Sequence, residues 1–200
     1  MKTNAWKDVT LAEFSQIRAI LNDEGRDSED KMIGLAAIMQ GVDEDTILEM
    51  PLDKVAPIFE MVQGLDKKPE PAKVRKTYLL NGWTLKVSDR TMTLAQWIDF
   101  QNYAREGFED HLGDILSVVL IPEGKKYNED YDMALLKRDL QLFSVGDALA
   151  VCFFFQRRFL KLMRRTLNYW VGWSAMKGQK EARKTFLALR REISAIRASL

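Results

Sequence analysis

Few residues in this chain have chemistry to offer. The single histidine, His111, lies in Glu109-Asp110-His111-Leu-Gly-Asp114. On a helix, His111 and Asp114 share a face and could share a metal ion. A transition-metal site usually needs three or four ligands, and the chain has neither a second histidine nor a thiolate cluster. A histidine exposed near a helix N-terminus accounts for the same pattern. The lone Cys152 is embedded in Val151-Cys-Phe-Phe-Phe155, where a thiol behaves as a small buried hydrophobe. A cysteine nucleophile would want a base beside it, and one histidine leaves little choice.

Anionic ligands have no recognisable cradle either. Neither G-x-x-x-x-G-K-[ST] nor G-x-G-x-x-G occurs, and H-E-x-x-H is missing too. Gly124-Lys125-Lys126 resembles only a fragment of a phosphate loop, and no strand is expected before it. The acids at Asp43-Glu44-Asp45 and around Glu129-Asp130-Asp132 are spaced for helix capping and solvation, not as a buried acid–base pair. They also lack the alternating acids, central glycine and terminal glutamate of an EF-hand. The expectation is a protein without enzymatic activity, metal or cofactor.

Composition sets the class. Of 200 residues, 46% are hydrophobic and 30% charged, with few Pro and Gly, which excludes a mainly disordered chain. One cysteine cannot form an intramolecular disulfide, so a cytoplasmic location is expected. Met1 to Thr10 lacks the apolar core of a signal peptide. The most apolar run, Ala148–Phe155, is about half the length needed to span a bilayer, so no membrane partner is expected.

The net charge of +1 conceals a segregation. Residues 1–70 carry 8 Lys/Arg against 15 Asp/Glu, a net of −7; residues 156–200 carry 12 against 2, a net of +10. Such separation points to a protein partner or to a second copy in a homo-oligomer; a solvated helix face, or the tail folding back on its own acidic part, accounts for it as well.

The periodicity predicts a mainly α fold, a multi-helix bundle with one β-hairpin after a proline-containing linker. Thr10-Leu-Ala-Glu13 and Thr93-Leu-Ala-Gln96 are capping boxes opening amphipathic helices. Asp27, Asp43 and Asp132 can cap others, and Gly41 can end the second helix. Leu52, Val55, Ile58, Phe59 and Val62 mark a fourth, with Pro57 near its first turn or kinking it. The boundaries read as an acidic helical subdomain over 1–65, a linker over 66–76, and a hairpin plus helical domain over 77–200. In Lys76–Leu80, Asn81-Gly82 and Trp83–Val87, Asn-Gly supplies the two positive φ angles of a type I′ turn. Tyr78, Leu80, Trp83, Leu85 and Val87 then share one face, with Trp83 expected against the helix that begins near Thr93. A helix over about 110–120 should stop at Pro122, with Gly124 turning the chain and Tyr127 or Tyr131 packing the loop back on the body. The longest helix should run from Ser144 to about Gly172, followed by a basic helix over about 179–198.

That long helix carries the most suggestive surface. Arg157, Arg158, Lys161, Arg164 and Arg165, interleaved with Trp170 and Trp173, could grip phosphates and stack on bases. They fit equally a helix with a wet basic face and an apolar stripe packed on the bundle. They are candidate residues for binding either a protein partner or nucleic acid.

Three stretches carry a family resemblance: Met92–Asp99, Ile115–Tyr127 and Leu142–Phe155. With the acidic opening, they resemble small helical proteins of tailed bacteriophages from gut Bacteroides-type hosts. The nearest likeness is to tail-assembly-chaperone-like proteins, with a minor virion component as the alternative. The likeness covers roughly residues 10 to 155, excludes the basic tail, and transfers no functional residue. It implies a non-enzymatic protein in the host cytoplasm that keeps an apolar tape-measure helix soluble while the tail assembles. Such a role asks for exposed apolar grooves with charged flanks. Met32, Met39, Met50 and Met61 could supply an adaptable surface there, or simply fill the core.

Overall fold

The computed structural model describes residues 6, 8–87, 93–129, 131–176, 181 and 184–191. It is mainly helical with a small antiparallel sheet. The elements run α1 (Leu11–Asn22), α2 (Ser28–Gln40), α3 (Glu44–Glu49), α4 (Leu52–Val62), a 3-10 turn (Gln63–Asp66), β1 (Thr77–Leu80), β2 (Trp83–Val87), α5 (Leu94–Gly107), α6 (Leu112–Val119), β3 (Leu120–Pro122), α7 (Met133–Leu140) and α8 (Val145–Met176). No helix among the described residues is long and apolar enough to cross a membrane.

The helix starts follow the local chemistry. Both capping boxes form, with the Thr10 and Thr93 hydroxyls accepting from the N3 amides while Glu13 and Gln96 reach back. At α1 every orphan amide of the first turn finds an acceptor. Leu11 N–H donates to Phe143 O and Ala12 N–H to Gln141 O; Glu13 N–H reaches the Thr10 hydroxyl and Phe14 N–H the Thr10 carbonyl. Asp27, Asp43 and Asp132 cap α2, α3 and α7. Gly41 ends α2 at φ 66°, a left-handed backbone where a Cβ would be strained. Pro57 lies inside α4, past its first turn.

The hairpin forms in the expected register, Tyr78 opposite Leu85 and Leu80 opposite Trp83. Asn81 and Gly82 take φ of 44° and 80°, as a type I′ turn requires. A third strand was not expected. β3 pairs antiparallel with β2, Leu85 opposite Pro122 and Val87 opposite Leu120, giving the order β1-β2-β3. The apolar run from α6 therefore does not simply end at Pro122; its last three residues become a strand, and Pro122 is placed where the chain leaves the sheet. Trp83 also departs from expectation. It lies edge-on to Tyr131 and its indole N–H donates to Asp139 Oδ2 at 2.8 Å, so it faces α7 and the preceding loop.

The compact division of the chain falls at residues 152 and 153, within α8, and not at the linker. Residues 67–75 lack regular structure yet are tied down. Lys67 O accepts from the Trp6 indole, Ala72 N–H donates to Gly146 O, and Arg75 pairs with Asp147 at 3.4 Å. These bonds strap 66–76 onto the first unit. The core of the first unit gathers Ile17, Ile47, Leu65, Leu85, Leu112, Ile115, Leu116, Leu120, Leu136 and Leu140. In the second unit, Phe155 and Leu160 are buried.

Candidate interaction surfaces

Two surfaces are candidates for binding a partner. The first lies on α4, with a further exposed leucine on α3 before it. Along α4, Val55 and Val62 are buried. At about 100° per residue, Leu52, Ala56 and Phe59 fall within about 60° of one another, on a neighbouring stripe of the same helix. Leu52 is 82% exposed, Ala56 is exposed and Phe59 half-buried. Leu48, near the end of α3, is 64% exposed. α4 is thus apolar over a wider arc than its own unit covers. Exposed carboxylates stand beside this stripe at Asp53 and Glu60, and α3 carries exposed Asp45 and Glu49, while its Glu44 is engaged by Arg26 at 2.7 Å. Residues 42–60 hold six acids against Lys54, a net of −5. Met32, Met39, Met50 and Met61 are each half-buried. The sequence placed Leu52 in one apolar set with Val55 and Val62; the width of the arc was the signal that could have separated the two stripes.

The second surface lies on α8. Arg157, Lys161 and Arg165 follow at i, i+4 and i+8, so they share one face, with Arg158 beside it. All four are exposed. The Arg158 guanidinium sits over the Phe154 ring, 5.8 Å from its centroid, which holds the charge against an aromatic face. Arg164, Trp170 and Trp173 belong to α8, but their side chains lie outside the described residues. Most of the helix expected over 179–198 lies outside them as well.

His111 is not the exposed group expected. It opens α6 half-buried, stacked on Tyr103 with ring centroids 5.9 Å apart. Its Nδ1 is 3.1 Å from Asp114 Oδ2 and its Nε2 is 3.8 Å from Glu106. Lys137 from α7 donates to Asp114 at 2.7 Å and to the Tyr103 hydroxyl at 3.1 Å. Burial alone would raise the Asp114 carboxyl, but the bonds from Lys137 and His111 outweigh it and hold the group below its ordinary value. The cluster ties α5, α6 and α7 together. No group of three or more His, Cys, Asp or Glu suited to a metal exists among the described residues.

Cys152 is fully buried, and burial pushes its thiol up, away from the reactive thiolate. In the loop after β3, the Tyr127 hydroxyl donates to Asp99 at 2.7 Å and Tyr131 rests on Trp83, so both tyrosines pack it onto the body. Asp139 on α7 is buried, and the Trp83 indole together with Arg138 lowers its carboxyl. Gln96, expected only as a cap, is also a core tie: its Nε2 donates to Val118 O at 2.9 Å. Compared with family models, curated proteins and solved structures, the chain matches none of them.

Proposed function

We propose that this protein is a non-enzymatic assembly protein that binds an apolar helical partner. In the phage setting the sequence resembles, it would be a tail assembly chaperone acting in the host cytoplasm. One observation supports this reading above the others: the apolar stripe of Leu52, Ala56 and Phe59 on α4, with exposed Asp53 and Glu60 along one flank and Leu48 exposed on α3. An amphipathic helix laid on that stripe removes apolar area from water on both partners, and the acids keep the unoccupied protein from self-aggregating. The experiment is a solubility assay with an aggregation-prone helix rich in Leu and Ala, followed by light scattering. The protein should suppress aggregation, and Leu48→Ser with Leu52→Ser should abolish the effect. Equal suppression by that variant, or none by the unaltered protein, would refute the reading.

The exposed Arg157, Arg158, Lys161 and Arg165 favour a second reading, nucleic-acid binding by a virion component. Four phosphate contacts would give log K a slope of about −3 to −4 against log salt, and charge reversal of the four residues would flatten it. Binding of duplex DNA with that signature, without binding of the helical probe, would replace the chaperone reading.

A further inference from the structure

The α4 stripe has a border on one side only, and that asymmetry bears on what fits it. Val55 and Val62 on the buried flank turn into the first unit. On the opposite flank stand Asp53 and Glu60, both exposed. They are seven residues apart, so they project from the same side of the helix about 10 Å apart along its axis. Lys54, the one base in residues 42–60, falls about 100° further round, away from the stripe. At the α3 end, Asp45 and Glu49 add exposed carboxylates near Leu48. A helix lying on Leu52, Ala56 and Phe59 would therefore bring one edge of its polar face over a row of carboxylates.

From this charge pattern we infer that the occupant of the stripe is a basic amphipathic helix of a partner protein. It has leucine-like residues on one face and Lys or Arg repeating at about seven-residue intervals along the adjoining edge. The inference rests on the helix-binding reading above and adds the partner's charge and spacing. A helix with an acidic polar face meets like charge at the same positions, and a neutral one forgoes the border altogether. Each ion pair is a modest rim contact, so the apolar stripe holds the helix and the acids select which helix it is.

The test uses the full chain and three synthetic helices of about 18 residues, long enough to hold helical structure. All carry the same leucine face; their polar faces are lysine, glutamate or glutamine. Fluorescence anisotropy should show the lysine helix binding about tenfold more tightly than the glutamate helix, with glutamine between, because attraction at two rim positions becomes repulsion. Asp53→Lys with Glu60→Lys should invert the order, and Leu52→Ser should weaken all three. These positions are exposed, and circular dichroism would check that each variant is folded. Equal affinity for the three helices would overturn the inference and leave apolar helix binding standing. Binding of none would overturn both. Binding that ignores Leu52→Ser and the charge reversals would place the helix elsewhere and overturn the inference. Sedimentation supplies the remaining outcome: a dimer that excludes the lysine helix and dissociates on Leu52→Ser would make a second copy the occupant, against the proposal.

Discussion

Gln96 offers the sharpest test of how the first unit is held together. Its side chain is 2% exposed and works at both ends. Oε1 accepts from Thr93 N–H at 3.0 Å, completing the cap of α5, and Nε2 donates to Val118 O at 2.9 Å. Val118 sits in the last turn of α6, where carbonyls have no partner further along the helix. Gln96→Met fills similar volume but breaks both bonds. Leaving the buried Val118 carbonyl unmet costs roughly 1–3 kcal/mol, and losing the back-bond of the cap about 1 kcal/mol more. For a chain of this size the combined loss lowers Tm by about 5–15 °C. Gln96→Glu separates the two bonds. Its carboxylate still accepts from Thr93 but turns an oxygen toward the Val118 carbonyl, and it is buried, so its folded pKa should rise above the unfolded value of about 4.3. In that window the folded state binds more protons than the unfolded one. The variant's stability should therefore fall as pH rises from about 4.3 through the raised value, and recover on acidification as the protonated group donates to Val118. Thermal melts of the three proteins between pH 4 and pH 8 decide it. A Gln96→Glu deficit that does not shrink relative to Gln96→Met on acidification would refute the account.

Other consequences are as direct. Trp83 is half-buried, so Trp83→Ala should cost roughly 2 kcal/mol, below the 3–5 typical of a fully buried tryptophan, and a denaturant titration would show it. Asp114 and Asp139 both have lowered pKa values, so their stabilisation is present above the unfolded value of about 3.9 and lost as pH falls below it. Asp114→Asn or Asp139→Asn should flatten the acid limb of a stability-against-pH curve. At Gly41 a Cβ meets nothing within 4 Å, so Gly41→Ala should cost only backbone strain, about 1 kcal/mol, and Gly41→Asn less, as melts would measure.

What could be read from the sequence was local in cause. The two capping boxes, the aspartate caps, Gly41 and the Asn81-Gly82 turn are each set within four residues, and each forms. β3 was illegible because Leu120-Ile121-Pro122 continues the apolar run of α6. Only pairing with β2, some thirty-five residues earlier, makes it a strand. In α5 the apolar residues do not share one fate: Phe100 is buried but Leu94 and Ile98 are exposed, and Gln96 is buried with Phe100. A glutamine satisfied at both ends can enter the core, and a hydropathy pattern does not register that. The acidic and basic segments were plain in the composition. The open stripe on α4 was not, because an apolar arc too wide for one neighbour looks like a well-formed inward face until the neighbours are placed.

The first-turn amides of α1 have a consequence for the order of events during synthesis. Leu11 and Ala12 donate to the carbonyls of Phe143 and Gln141, and Val145 N–H returns a bond to Val9 O. At about 5–20 residues per second, those acceptors leave the ribosome on the order of ten seconds or more after α1 does. Through that interval the first turn of α1 has the box of Thr10 with Glu13, and the bond from Phe14 N–H to Thr10 O, to hold it. The capping box acts as a placeholder that keeps the helix start in register until the α7–α8 turn arrives to finish it.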